Sequence, residues 1–126
     1  MKTSELSGSA LNWAVAKCEG LLCFGFIVDV AGTFAVVNSD RQCEVFEPST
    51  DWAQAGQIIE RECIEWQWLP SLSEAHRYGA RRPSLGGLNR TFCMDGPTIL
   101  VAAMRCYVAS KIGDEVDVPE ELMEVA

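Results

Sequence analysis

Fourteen consecutive positions, Pro48 to Arg61, hold the densest set of shape-setting and ligand-capable side chains in the chain. Ser49, Thr50 and Asp51 place three side-chain oxygens in a row, Trp52 adds a large aromatic face, and Gln54 adds an amide. Two uses are open to such a set. The oxygens can cap the first turn of a helix, where backbone N–H groups lack partners. They can also line a small-ligand pocket, which is apolar or aromatic with a few fixed polar groups. A second set lies between Ala75 and Phe92, where Arg77, Arg81, Arg82 and Arg90 accompany His76 with no acid among them. Arginine forks match phosphate, and glycines let backbone N–H groups approach an anion. The plainer reading is a solvated loop that balances acids elsewhere, and the glycine pattern matches no P-loop. A nucleotide suits the two sets together, with its base on an aromatic and its phosphates on arginine. The candidate ligand-binding residues are Ser49, Thr50, Asp51, Trp52, Gln54, Arg81, Arg82 and Arg105. Proximity of the Trp52 motif to Arg105 and to a neighbouring subunit would turn it from a cap into a site.

Catalysis has thinner support. His76 is the sole histidine, so Ser–His or Cys–His chemistry would run through it, with an orienting acid from elsewhere in the fold. Asp51 and Glu60 form a possible acid/base pair only if the fold joins them. No hydrolase, kinase or dinucleotide motif is present, and a non-enzymatic protein without a cofactor is expected. The six cysteines lack any C-x-x-C spacing, and a zinc site wants closely spaced thiolate or imidazole pairs. They read as reduced thiols used as small core hydrophobes.

A chain of 126 residues with 48% hydrophobic content reads as one folded domain with a real core. Its net charge of −8 argues against general nucleic-acid binding, which needs a basic surface. Six of the eighteen acids fall in a tail over residues 114–126 that carries no base. No secretory signal is visible, and no apolar run reaches the roughly 20 residues that cross a bilayer. A cytoplasmic protein is expected.

These residues must be positioned by an α+β fold: a small antiparallel sheet packed by an N-terminal helix and a long apolar C-terminal helix. Leu11, Ala14, Val15 and Cys18 recur at helical spacing within a first helix over 9–19, stopped by Gly20. Trp13, off that stripe, either extends the core contact or faces a partner. Leu21 to Val28 and Phe34 to Val37 read as a hairpin about the turn at 29–33, followed by a short strand over 43–46. Asp51 then caps a second helix, with Gln54 three residues on to reach back as in a capping box, and Gly56 as a point of breakage. Cys63 to Leu69 alternates as a half-buried strand, with Ile64, Trp66 and Trp68 on one face. That face is a core face, a stacking platform or a subunit contact. Residues 70–89 read as one long Arg/Gly loop, in which Ser71 and Glu74 are spaced to cap a short helix.

Residues 90–94 read as a last strand, and Asp95-Gly96-Pro97-Thr98 as the acid-capped start of a last helix. From Ile99 to Ile112 that helix is apolar nearly all round, broken only by Arg105, Ser110 and Lys111, and Gly113 ends it. A helix apolar on every side is buried on every side, so a homo-oligomer with this helix near the interface is expected. The acidic end reads as a solvated face whose Leu122 and Val125 are available to dock on a neighbour.

One resemblance runs in order along nearly the whole chain. Met1 to Leu6, Leu11 to Lys17, Pro48 to Gln54, Ile58 to Glu62, Gly96 to Thr98 and Ala102 to Lys111 resemble the NinX-like proteins of lambdoid phages and prophages. The chain departs at Gln57, where proline is expected after the glycine, and in the 70–89 loop. The family has no assigned activity, so no catalytic residues carry over. The resemblance implies a phage accessory protein made in the host bacterial cytoplasm, a class that often counters host defence. The favoured expectation is a sponge that sequesters a small nucleotide-type host immune signal. The alternative is an inhibitor that docks an acidic surface on a host defence or DNA-binding protein.

Overall fold

The computed structural model describes residues 1–70, 73–83 and 91–122. Helix α1 spans Gly8–Cys18, α2 Trp52–Arg61 and α3 Ile99–Lys111. Strands β1 Phe26–Val28, β2 Phe34–Val37 and β3 Cys43–Val45 form one antiparallel sheet in that order. Strands β4 Glu65–Trp68, β5 Tyr78–Pro83 and β6 Thr91–Gly96 form a second. The expected α+β class with an apolar C-terminal helix on the strands is the observed one, divided into two sheets because Pro48 and α2 separate β3 from β4.

In the first sheet, Phe26 pairs with Val36 and Val28 with Phe34. Phe26 and Phe34 stack at 5.6 Å and send their side of the sheet into the core. Full burial of a side chain such as Phe34 stabilises the fold by about 1.5–3 kcal/mol. The first strand is shorter than its apolar run. Leu21 and Gly25 donate to Ala16 and Leu22 in successive turns, and Gly20 and Gly25 adopt positive φ, so residues 21–25 cannot extend.

The second sheet corrects the long loop expected over 70–89. Tyr78–Pro83 is its central strand, with Trp66↔Ala80↔Met94 and Glu65↔Arg81↔Cys93 in register. Arg81 and Arg82 masked the strand, because adjacent charges hide the alternation of Tyr78, buried Ala80 and Arg82 on one face. A 3-10 turn over Glu74–His76 precedes it. Ser71, Gly86, Gly87, Arg90 and residues 123–126, Val125 among them, lie outside the described residues.

Helix α3 runs through the centre. It packs on β5 and β6 and is flanked by α1, α2 and the N-terminal 3-10 turn Thr3–Glu5, so ten of its thirteen residues are buried within one chain. A neighbouring copy is therefore not needed to cover this helix. Its cap is Thr98, whose Oγ1 accepts from the Val101 N–H at 3.1 Å; Asp95 and Gly96 belong to β6 and Pro97 precedes the cap. Gly113, at φ +110°, ends it as expected. Trp13 is buried in the core under the Lys17 ammonium, which settles it as a packing residue. Leu122 is buried on its own chain, and the acidic segment is pinned to the N-terminus. Val116 N–H donates to Met1 O, Thr3 N–H to Asp114 O, and the Thr3 hydroxyl to Gly113 O.

All six cysteines are thiols, yet only Cys106 lies fully in the core. Cys23, Cys43, Cys63 and Cys93 are exposed, in a turn, on β3, at the left-handed end of α2 and on the outer face of β6. The expectation of core cysteines fails at these four because they sit in a turn, on an exposed strand, just past a helix end or on the outward face of a sheet. Among the described residues no helix is long and apolar enough to cross a membrane, and no group of candidate ligands stands ready for a metal ion.

Candidate ligand-binding cleft

The Pro48–Arg61 stretch folds as its local chemistry dictates. Pro48 is buried, and Glu47 O accepts from both Thr50 N–H and Asp51 N–H, closing a tight turn. Ser49 N–H donates to Asn12 Oδ1 at 3.1 Å, anchoring the turn to α1. Asp51 Oδ1 accepts from Ala53 N–H at 2.8 Å, the expected cap. Gln54 reaches back, but not as a capping box. Its Oε1 accepts from Glu47 N–H and its Nε2 donates to Val45 O, so it ties α2 to β3 instead. The helix is continuous through Gly56, where a Cβ would meet nothing within 4 Å. Buried Ala55, Ile58 and Ile59 hold it against the glycine's cost.

This geometry leaves Trp52 half-exposed at the start of α2, 5.9 Å from Trp66 in an edge-on contact. Trp66 and Trp68 are 45% and 64% exposed, so the tryptophan face of β4 is a surface platform and not core. As the edge strand, β4 is covered by α3 only in part, since the helix packs mainly on β5 and β6. Beside the platform lies a cleft of about 380 Å³ lined by Ser49, Thr50, Trp52, Tyr78, Thr98, Ile99 and Leu100. It is bounded by the N-terminal ends of both α2 and α3. Tyr78, Thr98, Ile99 and Leu100 were missed from the sequence; the Pro97-Thr98 pair was the one local signal for the α3 end.

Of the residues singled out from sequence, the fold brings Ser49, Thr50 and Trp52 together here. Asp51 and Gln54 stand next to them and are occupied as cap and tie. The arginines do not join the cleft. Arg105 is only 8% exposed, with Nε donating to Leu6 O at 2.7 Å and Nη1 to Asp95 O at 2.8 Å. It clamps the N-terminal turn and β6 to α3, and burial lowers its pKa. Arg81 pairs with Glu65, its register partner on β4. Arg82 Nη2 lies 3.2 Å from Glu62 Oε1.

Glu62 belongs to an ionic cluster where the C-terminal ends of all three helices meet. Lys111 Nζ lies 3.2 Å from Glu62, and Arg61 bridges Glu62 and Glu19. Tyr107 donates its hydroxyl to Glu19 at 2.5 Å. Burial works to raise both carboxyls, yet bonds from Arg61, with Tyr107 on Glu19 and Lys111 on Glu62, hold them below the usual carboxylate range. Burial and Glu19 together raise the Tyr107 phenol. Cations at the negative ends of helix dipoles are placed to stabilise.

A second cavity, also about 380 Å³, lies on the outer face of the second sheet between Glu65, Leu69, Gly79, Arg81, Cys93 and Asp95. His76 Nδ1 meets Asp95 Oδ1 at 2.8 Å at its edge, which supplies the orienting acid that the sequence left open. Asp51 and Glu60 lie at opposite ends of α2, about 13 Å apart along its axis, and form no pair.

The fold is similar to that of a phage protein from Bacillus cereus ATCC 14579. Its crystal structure aligns with a TM-score of 0.57 at 16% identity, over 83% of this chain and 92% of that one. Identity that low carries the fold alone. The chain belongs to the family of NinX from bacteriophage P22, whose model matches residues 2–111, so the resemblance read from the motifs holds. No curated protein matches the chain.

Proposed function

We propose that this phage protein is a non-enzymatic binding module that takes up a small nucleotide-type ligand in the Trp52 cleft and sequesters it in the host cytoplasm. A host immune signal of that class is the natural target for a sponge. The observation that carries the reading is the half-exposed Trp52, held edge-on to Trp66 at the mouth of a cleft with hydroxyls along its wall. Stacking a base on such a ring contributes about 1–3 kcal/mol. Ser49, Thr50, Thr98 and Tyr78 supply neutral donors and acceptors for the polar part. The described lining holds no carboxylate, imidazole or thiol to move a proton, which favours binding over turnover. Isothermal calorimetry with mononucleotides, cyclic nucleotides and ADP-ribose derivatives tests it. Saturable micromolar or tighter binding to one class is expected, and silence across the panel from folded protein refutes it.

One observation favours a second reading, inhibition of a host protein through an acidic surface. Asp114, Glu115, Asp117, Glu120 and Glu121 are exposed, while Val116, Val118 and Leu122 beneath them are buried. The acids are thus presented on a fixed ridge. Pull-down from host lysate with and without charge reversal at Asp117, Glu120 and Glu121 separates the readings. Capture of the same partner by both forms rejects the acidic-surface reading.

A further inference from the structure

We infer that the polar end of the cleft is an oxyanion subsite formed by Ser49 and the first turn of α3. It seats the terminal phosphoryl group of a nucleotide-type ligand whose base lies on Trp52. The inference rests on the reading of the cleft given above and adds how the ligand's charge is met.

Helix α3 is thirteen residues long and carries no acid in its first turn, so its positive end is uncompensated. Its cap serves one N–H only: Thr98 Oγ1 takes Val101, while Thr98 O takes Ala102. The N–H groups of Ile99 and Leu100 have no partner within the helix. Both residues line the cleft, and Trp52 at the start of α2 faces them across it. A separate observation points to a ligand at the same place. Ser49 is 3% exposed and lines the cleft, and its Oγ is buried with no hydrogen-bond partner. A buried hydroxyl left without a partner is destabilising, and each such group calls for an explanation. An oxyanion would supply the acceptor that the Ser49 O–H lacks.

The subsite is made of neutral donors. The three arginines first assigned to phosphate are held by Glu65, Glu62 and backbone carbonyls. Backbone N–H groups at a helix start suit a single phosphoryl group, as at other helix N-termini that bind anions. Affinity for the anion should therefore fall only weakly with added salt, unlike a site built from arginines.

The test compares AMP with adenosine by calorimetry and by amide chemical shifts of the full chain. AMP is expected to bind about tenfold more tightly than adenosine, and to move the Ile99 and Leu100 amide resonances, which adenosine leaves in place. Thr98→Asp keeps a capping oxygen on α3 but adds a negative charge at the subsite. It should bring AMP down to the affinity of adenosine. Ser49→Ala, which removes the partnerless hydroxyl without perturbing the cap, should weaken AMP about fivefold. Equal affinities for the two probes in the unmodified protein, or AMP shifts that spare Ile99 and Leu100, overturn the subsite and leave the base-stacking reading standing. Absence of binding by either probe overturns the subsite, while the cleft reading falls only if the whole nucleotide panel is silent as well.

Discussion

Replacing Arg105 by methionine separates a clamp from a ligand contact. The side chain is almost wholly buried and donates to Leu6 O and Asp95 O, on segments 99 and 10 residues away in sequence. Methionine roughly conserves the volume and removes both donors. Hydrogen bonds from a charged donor are worth about 1.5–3 kcal/mol each, and carbonyls left buried without partners add to the cost. A total loss of about 3–5 kcal/mol is expected. For 126 residues, an unfolding entropy of about 2.1 cal/mol/K per residue makes 1 kcal/mol worth about 4 °C. Arg105→Met should thus lower Tm by about 12–20 °C, followed by circular dichroism, with ligand affinity measured below the transition unchanged. Arg81→Ala is the control: its pair with Glu65 is exposed on both sides, and Tm should stay where it is. A Tm for Arg105→Met within about 3 °C of the parent, with weakened ligand binding, would refute the clamp and return Arg105 to the site.

Other expectations follow from the same geometry. Glu19 and Glu62 have folded pKa values below their reference of 4.5. Their contribution is present above that pH and is lost as pH falls through the folded values. Tm should drop more steeply below about pH 4.5 in the parent than in Glu62→Gln, seen in melts from pH 7 to pH 3. Gly56→Ala should raise Tm by about 2–4 °C, because the added methyl meets no atom and the helix gains about 0.5–1 kcal/mol. Burial, with Glu19 and Cys93 as the next contributors, pushes the Cys18 thiol up to about 11 and the Cys106 thiol up to about 12. A thiol reagent at pH 8 should spare both in the native protein while labelling Cys23, Cys43 and Cys63, as read by mass spectrometry of digests.

How far the sequence reaches depends on whether a residue's role is local. Asp51 was legible as a cap because the N–H it satisfies lies two residues away. Thr98 was obscured by Asp95, since nothing in the sequence says that β6 continues through Gly96 and uses the acid's backbone in a ladder. Strand β5 was invisible for a different reason. A central strand flanked on both sides needs only partners, and Arg81 and Arg82 find theirs in Glu65 and Glu62, remote in sequence. Alternation placed Trp66 and Trp68 on one face correctly, the face of buried Ala80, but a period of two cannot tell that β4 is an edge strand, where that face is left largely open. The all-round apolarity of α3 was read correctly as all-round burial. Its cover came from α1, α2, the N-terminal 3-10 turn and the second sheet of the same chain, a tertiary fact beyond any window of sequence. The cleft was half legible: the tryptophan and hydroxyls of one wall lie together in sequence, whereas the opposite wall comes from Tyr78 and from Thr98 to Leu100, far along the chain. The arginines were assigned to it on type alone, and distance removed them.

The most direct test of the binding account is calorimetry of the nucleotide panel against the parent and Trp52→Ala, with both proteins shown to be folded. The account expects one class of nucleotide to bind saturably near one site per chain. It also expects Trp52→Ala to weaken that binding by about 5- to 150-fold, in line with the loss of about 1–3 kcal/mol of stacking. Binding that is undiminished in Trp52→Ala, or no binding to the parent at all, would contradict it.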